Sequence, residues 1–428
     1  LFVKKWPFRS SSPGGLERHA FVLHTLLARR GHTIHVFSTT ASSEMDSAHN
    51  KARPEAEADI REWANKGLFL HLFPRPDGSG KMDIDAAWEE FVRLNSTRPF
   101  DIVHSESVAL PPDRAKSVGP STVVSWHGIS YEIIYSDIIR DLTRAPGEVR
   151  APDLLKSLSE RTFRVAEEVK FFPSYAHHVA TSDHVGDVLQ NIYQIGAENV
   201  HIILNGVDER QFRPDPAAGA RFRTILGLSG ANQQQLVLGA AGRLVKDKGY
   251  PLLFEAFSEI LVEAPHTRLL LAGDGPWAVR FKRLAPANVM VLGTLSATQL
   301  ADFYNAIDIF VNPTLRSQGL DHTLLEAMLC GKPLLATRFA SITKSIIVKE
   351  GARGEEEISY TFSPTDAPAS LIAALRLVLH HHASGQLQRK GQLCFQRASK
   401  LFTATRMAAS YERLFLCITN SRYCLYPP

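Results

Sequence analysis

Along the 428 residues, short runs of consecutive apolar positions alternate with stretches in which apolar residues return every three or four places. The runs fall at 1–3, 33–38, 68–73, 101–104, 122–126, 178–181 and 201–204, then again at 236–240, 268–272, 289–292, 307–311, 333–336 and 360–362. Near-continuous hydrophobicity of this kind predicts strands covered on both faces, as in parallel sheets. Between the first two runs, Leu16, Ala20, Leu23, Leu26 and Leu27 trace a helical stripe that stops at Gly31. Strand–helix alternation that runs its course twice predicts an α/β chain of two doubly wound, Rossmann-like domains. The turn-rich segment Asn205-Gly206-Val207-Asp208, extending to Pro214, marks the boundary between them. The expected division is 1–205, 206–395 and a helical segment 396–428 without a further strand. The stretch 46–59 is charged and poor in aromatics and reads as a surface loop; 137–158 reads as a helical insertion.

Composition narrows the classes. A formal charge of +4, without clustered Lys and Arg, gives no nucleic-acid footprint but allows a basic pocket for phosphate. The four cysteines are widely spaced, with no C-x-x-C pair, which speaks against a zinc site or disulfide scaffold and for a reducing compartment. No run of about 18 apolar residues occurs, so no segment is expected to span a membrane. Leu1 falls inside an apolar run, so a first strand is expected to be already under way, with any targeting signal or anchor upstream of it. The expected location is cytoplasmic, or at a cytosolic or Golgi membrane where such an upstream anchor exists.

The chemistry-bearing residues gather where strands end. After the run 307–311 comes Ser317-Gln318-Gly319-Leu320-Asp321-His322, a turn that leads into a helix carrying Glu326. A helix start offers unpaired N–H groups and a positive dipole end to an anion, and Glu326 on the same rim could accept from a ribose diol. The plain alternative is an amphipathic helix whose Glu faces solvent. After 236–240 come Gly242-Arg243 and Lys248-Gly249; an Arg fork and a Lys point charge at a strand end suit a diphosphate. After the first run, Gly14 and Gly15 expose backbone before a helix, with Arg18 close behind. His127 follows the strand 122–126, where it could bond a substrate hydroxyl. Gly273-Asp274-Gly275-Pro276-Trp277-Ala278 matches a dinucleotide fingerprint, yet the next strand ends in Leu292-Gly293-Thr294-Leu295-Ser296 with no acid for a ribose. It reads as a cleft-lining turn. His177-His178 and His380-His381-His382 are adjacent residues whose side chains point apart, so no metal site is expected.

Taken in order, the loops Gly-Gly-Leu-Glu-Arg-His, Trp-His-Gly, Asn-Gly-Val-Asp, Gly-Arg-x-x-x-x-Lys-Gly, Gly-Asp-Gly-Pro and Leu-Glu-Ala-Met-x-x-Gly-Lys-Pro resemble the family-4 retaining glycosyltransferases of GT-B fold. The wording around Arg316–His322 looks like the plant-type branch, within a group similar to the UDP-glycosyltransferase superfamily. The likeness spans about residues 3–416. It implies two Rossmann-like domains facing a central cleft, with C-terminal helices crossing back to the first, and transfer from a nucleotide-sugar donor, a UDP-sugar, to a hydroxyl acceptor. That acceptor could be a sugar, a polyol or a lipid-linked group, and membrane contact is left open. Arg243 and Lys248 would neutralise the diphosphate in place of a metal, with no separate cofactor. Glu326 would bind the ribose, Thr294 and Leu295 the base, and Gly319, Leu320 and Asp321 the departing phosphates. His127 would meet the donor sugar or orient the acceptor, and Gly14 and Gly15 would approach the acceptor.

Two positions depart from the family pattern. The first of its two glutamates, which helps place the donor sugar, is Gln318 here; Asp321 stands where a small residue is common. Gln keeps the hydrogen-bonding ability and loses the charge. The alternatives are therefore a nucleotide-sugar-binding scaffold impaired in turnover and, further away, a nicotinamide oxidoreductase using 273–278.

Overall fold

The computed structural model describes residues 1–8, 14–39, 45–46, 51–52, 54–144, 147–150, 153–228, 235–284, 287–317, 319–346 and 358–425. Fourteen strands occur among them. In chain order these are β1 (Ile34–Ser38), β2 (Met45–Asp46), β3 (Lys51–Ala52), β4 (Leu68–Leu72), β5 (Val103–Glu106), β6 (Thr122–Trp126), β7 (His177–Ala180) and β8 (Val200–Ile202). The second set is β9 (Val237–Ala241), β10 (Arg268–Ala272), β11 (Val289–Gly293), β12 (Ile309–Asn312), β13 (Leu334–Thr337) and β14 (Tyr360–Phe362). Two compact units divide the chain: one holds Leu1–Gly128, Ala166–Gly206 and Ala404–Pro428, the other Ile129–Val165 and Val207–Thr403.

In the first unit, β5-β6-β7-β8 run parallel, and β1 pairs parallel with β4. Phe2 joins the two groups, because it bridges Phe37 on one side and Ser105 on the other, both in parallel. The sheet order is thus reversed about the first apolar run, and the crevice at its carboxyl edge opens there. Helix Ala404–Thr419 packs Met407, Ala408, Tyr411 and Leu414 onto Leu23, Leu27, Val123 and Val179, so the last long helix completes the first unit's core. A cavity of about 850 Å³ opens at the opposite, amino end of these strands, beside Leu1, Ile34 and Val103.

The second unit has the strand order β11-β10-β9-β12-β13-β14, all parallel, the two-sided Rossmann arrangement with its reversal between β9 and β12. Its core draws Leu238, Leu253, Phe257, Leu269, Leu271 and Val311 together, and Ile139 belongs to it. Residues 129–165 lie with this unit and not with the expected 1–205: helix Ser130–Leu142 sets Ile139 into this core and buries Glu132 and Ser136, the latter bonded to Ser317.

Three local readings change. The stretch 46–59, expected as a loop, includes the end of the antiparallel pair β2–β3 and the start of helix Pro54–Ala64. Cys417 and Cys424 form a disulfide, contrary to the expectation from their wide spacing. The helix ends at Thr419 and the turn Ser421–Leu425 folds back, bringing the two Cα atoms to 4.8 Å, within bridging range. The glycines of 273–278 serve packing. Gly273 has φ +134°, and a Cβ there would meet the Gly242 carbonyl at 1.9 Å; one on Gly275 would meet that of Leu244 at 2.7 Å. No helix among the described residues is long and apolar enough to cross a membrane.

Candidate active site

Ligands of doubly wound sheets sit outside the carboxyl ends of the strands, where the order reverses. In the second unit that place is the pair of loops after β9 and β12. Gly242, at φ +130°, turns the chain out of β9 and leaves Arg243 exposed. Gly249, at φ +76°, closes the loop so near the next one that a Cβ would meet the Pro313 carbonyl at 1.8 Å. The two loops are also tied by Leu315 N–H donating to the Asp247 carbonyl (3.0 Å) and by Arg316 Nε donating to the Asp247 carboxylate (2.6 Å).

After β12, Asp321 caps helix His322–Leu329 by accepting from the Thr323 N–H (3.3 Å), and Lys248 Nζ donates to its Oδ2 at 2.6 Å. Burial works to raise the Asp321 carboxyl, but the Lys248 ammonium and the Thr323 bonds outweigh it and hold it well below the usual range. Lys246 pairs with Glu148 and Arg316 with Asp247. Of the four cations on these loops, Arg243 is the one without an acidic partner among the described residues. The structure thus brings Arg243, Lys248, Gly319, Leu320 and Asp321 to one edge.

Glu326 sits differently from its expected place on a rim. Helix His322–Leu329 is buried all round, so it has no solvent face, and Glu326 is 0% exposed with Tyr304 donating to its Oε2 at 2.8 Å. Gln318 lies outside the described residues. Thr294 and Leu295 follow β11, and Ser296 caps helix Ala297–Ala306 in a reciprocal box with Gln299. Ser296→Ala is expected to lower stability by about 1 kcal/mol, read from urea unfolding.

Sequence reasoning missed a carboxyl here. Glu132, on helix Ser130–Leu142, is buried, with the backbone N–H groups of Gly319 and Ile129 acting on its carboxyl. Around it, Ser317 N–H donates to Ser136 Oγ (3.0 Å) and Ser317 Oγ donates to the Glu132 carbonyl (2.9 Å). Burial pushes the Glu132 carboxyl up to about 8.

In the first unit, Gly14 caps helix Gly15–Arg29, and both glycines are exposed. His127 follows β6, and its Nε2 lies 2.6 Å from Oε2 of Glu106, the last residue of β5. Glu106 is also faced by His24 (3.7 Å) and His19 (3.9 Å). Burial works to raise its carboxyl, yet the imidazoles of His19 and His104, the bond to His127 and the nearness of His24 hold it well below its ordinary value. Burial in turn pushes His19 down to about 3, and His104 well below its ordinary value. Two groups, His19–Glu106–His127 and His24–His104–Glu106, have donor atoms within 4.8 Å of one another. The available signal is an acid closing an apolar strand, but the apolar run itself stops at 104. The histidines set aside in the sequence have other partners: His177 meets His201 at 3.2 Å, His178 accepts from Trp126 at 3.1 Å, and His381 meets Tyr360 at 2.6 Å.

Both halves of the chain are similar to known families. Residues 13–211 match the family described as Glycosyltransferase Family 4, and residues 235–381 match Glycosyl transferases group 1. Mannosylfructose-phosphate synthase of Agrobacterium fabrum is 28% identical over 259 residues, 57% of this chain and 54% of that protein, so the match spans about half the relative's length. D-inositol 3-phosphate glycosyltransferase of Kineococcus radiotolerans is 24% identical over 86% of this chain and 82% of its own. Among solved structures, HepE of Anabaena in complex with UDP and glucose superposes with a TM-score of 0.64, at 16% identity, covering 96% of this chain and 98% of that one. The fold is of the GT-B type, and the two halves of the chain are similar, in order, to Glycosyltransferase Family 4 and to Glycosyl transferases group 1.

Proposed function

We propose that this chain transfers a sugar from a nucleotide-sugar donor, a UDP-sugar, to a hydroxyl acceptor, with retention at the anomeric carbon and without a divalent metal. The observation that carries the reading is the β9/β12 reversal point, where Arg243, Lys248 and the start of helix His322–Leu329 share one edge. A departing diphosphate gathers negative charge, and preorganised donors aimed at it lower the barrier without reorganising during the reaction. Arg243 supplies the unpaired cation, Lys248 a second, and the helix start its dipole. Thr294 and Leu295, which follow β11, are assigned to the base. Glu326, which accepts from Tyr304, is assigned to the ribose hydroxyls. Gly14, Gly15 and His127 are assigned to the sugar and acceptor.

Two relatives support a small hydroxyl acceptor, since their names speak of mannosylfructose phosphate and D-inositol 3-phosphate. HepE, solved with UDP and glucose, supports the donor. A second reading, a donor-binding scaffold with little turnover, is favoured by Gln318 and by the engagement of Lys248 with Asp321. Calorimetric titration with UDP-, GDP- and ADP-glucose, followed by assay of nucleotide release, tests both. One-to-one binding of UDP-glucose with slow release of UDP is expected. Binding without release across an acceptor panel would favour the scaffold, and no binding of any nucleotide sugar would end the proposal.

A further inference from the structure

Glu106 ends β5 beside the reversal of the first unit's sheet, and it is fully buried. An ionised carboxylate away from water is costly unless its lone pairs are met. Its neighbours form a chain that returns to it. His24 Nε2 meets His104 Nδ1 at 3.1 Å, and His104 Nε2 meets Ser125 Oγ at 2.8 Å. Ser125 meets the Tyr411 hydroxyl at 2.7 Å, which stands 3.4 Å from His19 Nε2. His24 and His19, at the two ends of that chain, both face Glu106 Oε1. The other oxygen, Oε2, makes the short 2.6 Å contact with His127. Of the imidazoles facing Glu106, His127 alone reaches the surface, its side chain 10% exposed against 0% for His19 and 3% for His24.

An ionised carboxylate carries no proton, so in the short contact it can only accept, and the hydrogen sits on His127 Nε2. The neutral ring then keeps its lone pair on Nδ1. We propose that Glu106 is a positioning residue that fixes the ring orientation and the Nε2–H tautomer of His127, so that Nδ1 is the nitrogen offered to a substrate hydroxyl. His24 and His19 stand off Oε1 at 3.7 and 3.9 Å, beyond hydrogen-bond distance, so the short contact to His127 is the one that engages the carboxylate closely. The substrate part of this inference rests on the proposed glycosyl transfer, whereas the tautomer does not.

Nitrogen-15 NMR of histidine-labelled protein and a double-mutant cycle test it. His127 is expected as the Nε2–H tautomer in the wild type, assigned by its loss in His127→Ala. In Glu106→Gln the new amide can donate, and the tautomer is expected to shift towards Nδ1–H. UDP-glucose turnover in Glu106→Gln should fall about 10- to 100-fold, with donor KM changed less than about twofold. In the His127→Ala background the same substitution should cost less than about twofold. An Nδ1–H tautomer in the wild type would overturn the inference. So would an undiminished effect of Glu106→Gln without His127, or stoichiometric metal in the purified protein, which would take the place of the proton. If Glu106→Gln does not fold, the wild-type tautomer and the Glu106→Asp variant still decide. The predicted tautomer in a protein that transfers no sugar would instead count against the proposed function.

Discussion

The double variant Arg243→Ala/Lys248→Ala is expected to weaken UDP-glucose binding at least about 100-fold, and Asp321→Asn alone to strengthen it about 3- to 10-fold. Each charge-assisted bond to a phosphate contributes on the order of 1.5–3 kcal/mol, and about 1.4 kcal/mol is a factor of ten. Removing both cations at once accounts for the first figure. The second follows from the 2.6 Å bond between Lys248 Nζ and the Asp321 carboxylate, which commits the lysine's charge to an anion standing at the helix start. A bound diphosphate would face that carboxylate at close range. Asparagine caps a helix about as well as aspartate, so the substitution removes repulsion while preserving the helix start. Calorimetry at low and high salt separates the effects, because the gain in Asp321→Asn should shrink as salt screens it. Weaker binding by Asp321→Asn, together with unchanged binding by the double variant, would move the nucleotide site elsewhere.

Glu132→Gln is expected to stabilise the protein at pH 8, by about 1–3 kcal/mol, and to leave it little changed near pH 4.5. The Glu132 carboxyl rises from its ordinary 4.5 to about 8 by burial, opposed by the backbone N–H groups of Gly319 and Ile129. Between those two pH values the folded chain holds a proton that the unfolded chain has released. Stability contributed by this group is therefore complete below 4.5, falls as pH rises through the window, and levels off above 8. Glutamine retains an acceptor for the backbone N–H groups and has nothing to ionise. Urea unfolding across this pH range should show a shallower decline for the variant. Parallel curves would place the charge on another group.

The strands were legible because parallel strands covered on both faces must be apolar nearly throughout, and β10 and β14 end where the pattern predicts. Loops that leave such strands were legible for the same reason: Arg243 and Lys248 stand out as polar residues directly after a buried run. Glu326 misled, since a helix of Leu, Met and one Glu reads as amphipathic, and periodicity does not reveal that its remaining face is covered as well. Glu106 and Glu132 stayed unnoticed because a lone acid at a strand end or on a helix looks like any solvated residue. Their partners, His19, His127 and Gly319, come from distant parts of the chain. The Cys417–Cys424 disulfide escaped because it depends on a turn that the spacing does not announce.

Helix Ala404–Thr419 lends the first unit Tyr411, Met407 and Leu414, near the end of the chain. A ribosome releases this polypeptide from the amino end, at about 5–20 residues per second. For tens of seconds after its strands have emerged, the first unit must wait with part of its core uncovered and the Ser125 hydroxyl without its tyrosine. The second unit has by then received all its strands, so the half of the molecule made first is the half finished last, and nascent-chain partners would find their binding surface on the β6 and β7 face that Tyr411 later covers.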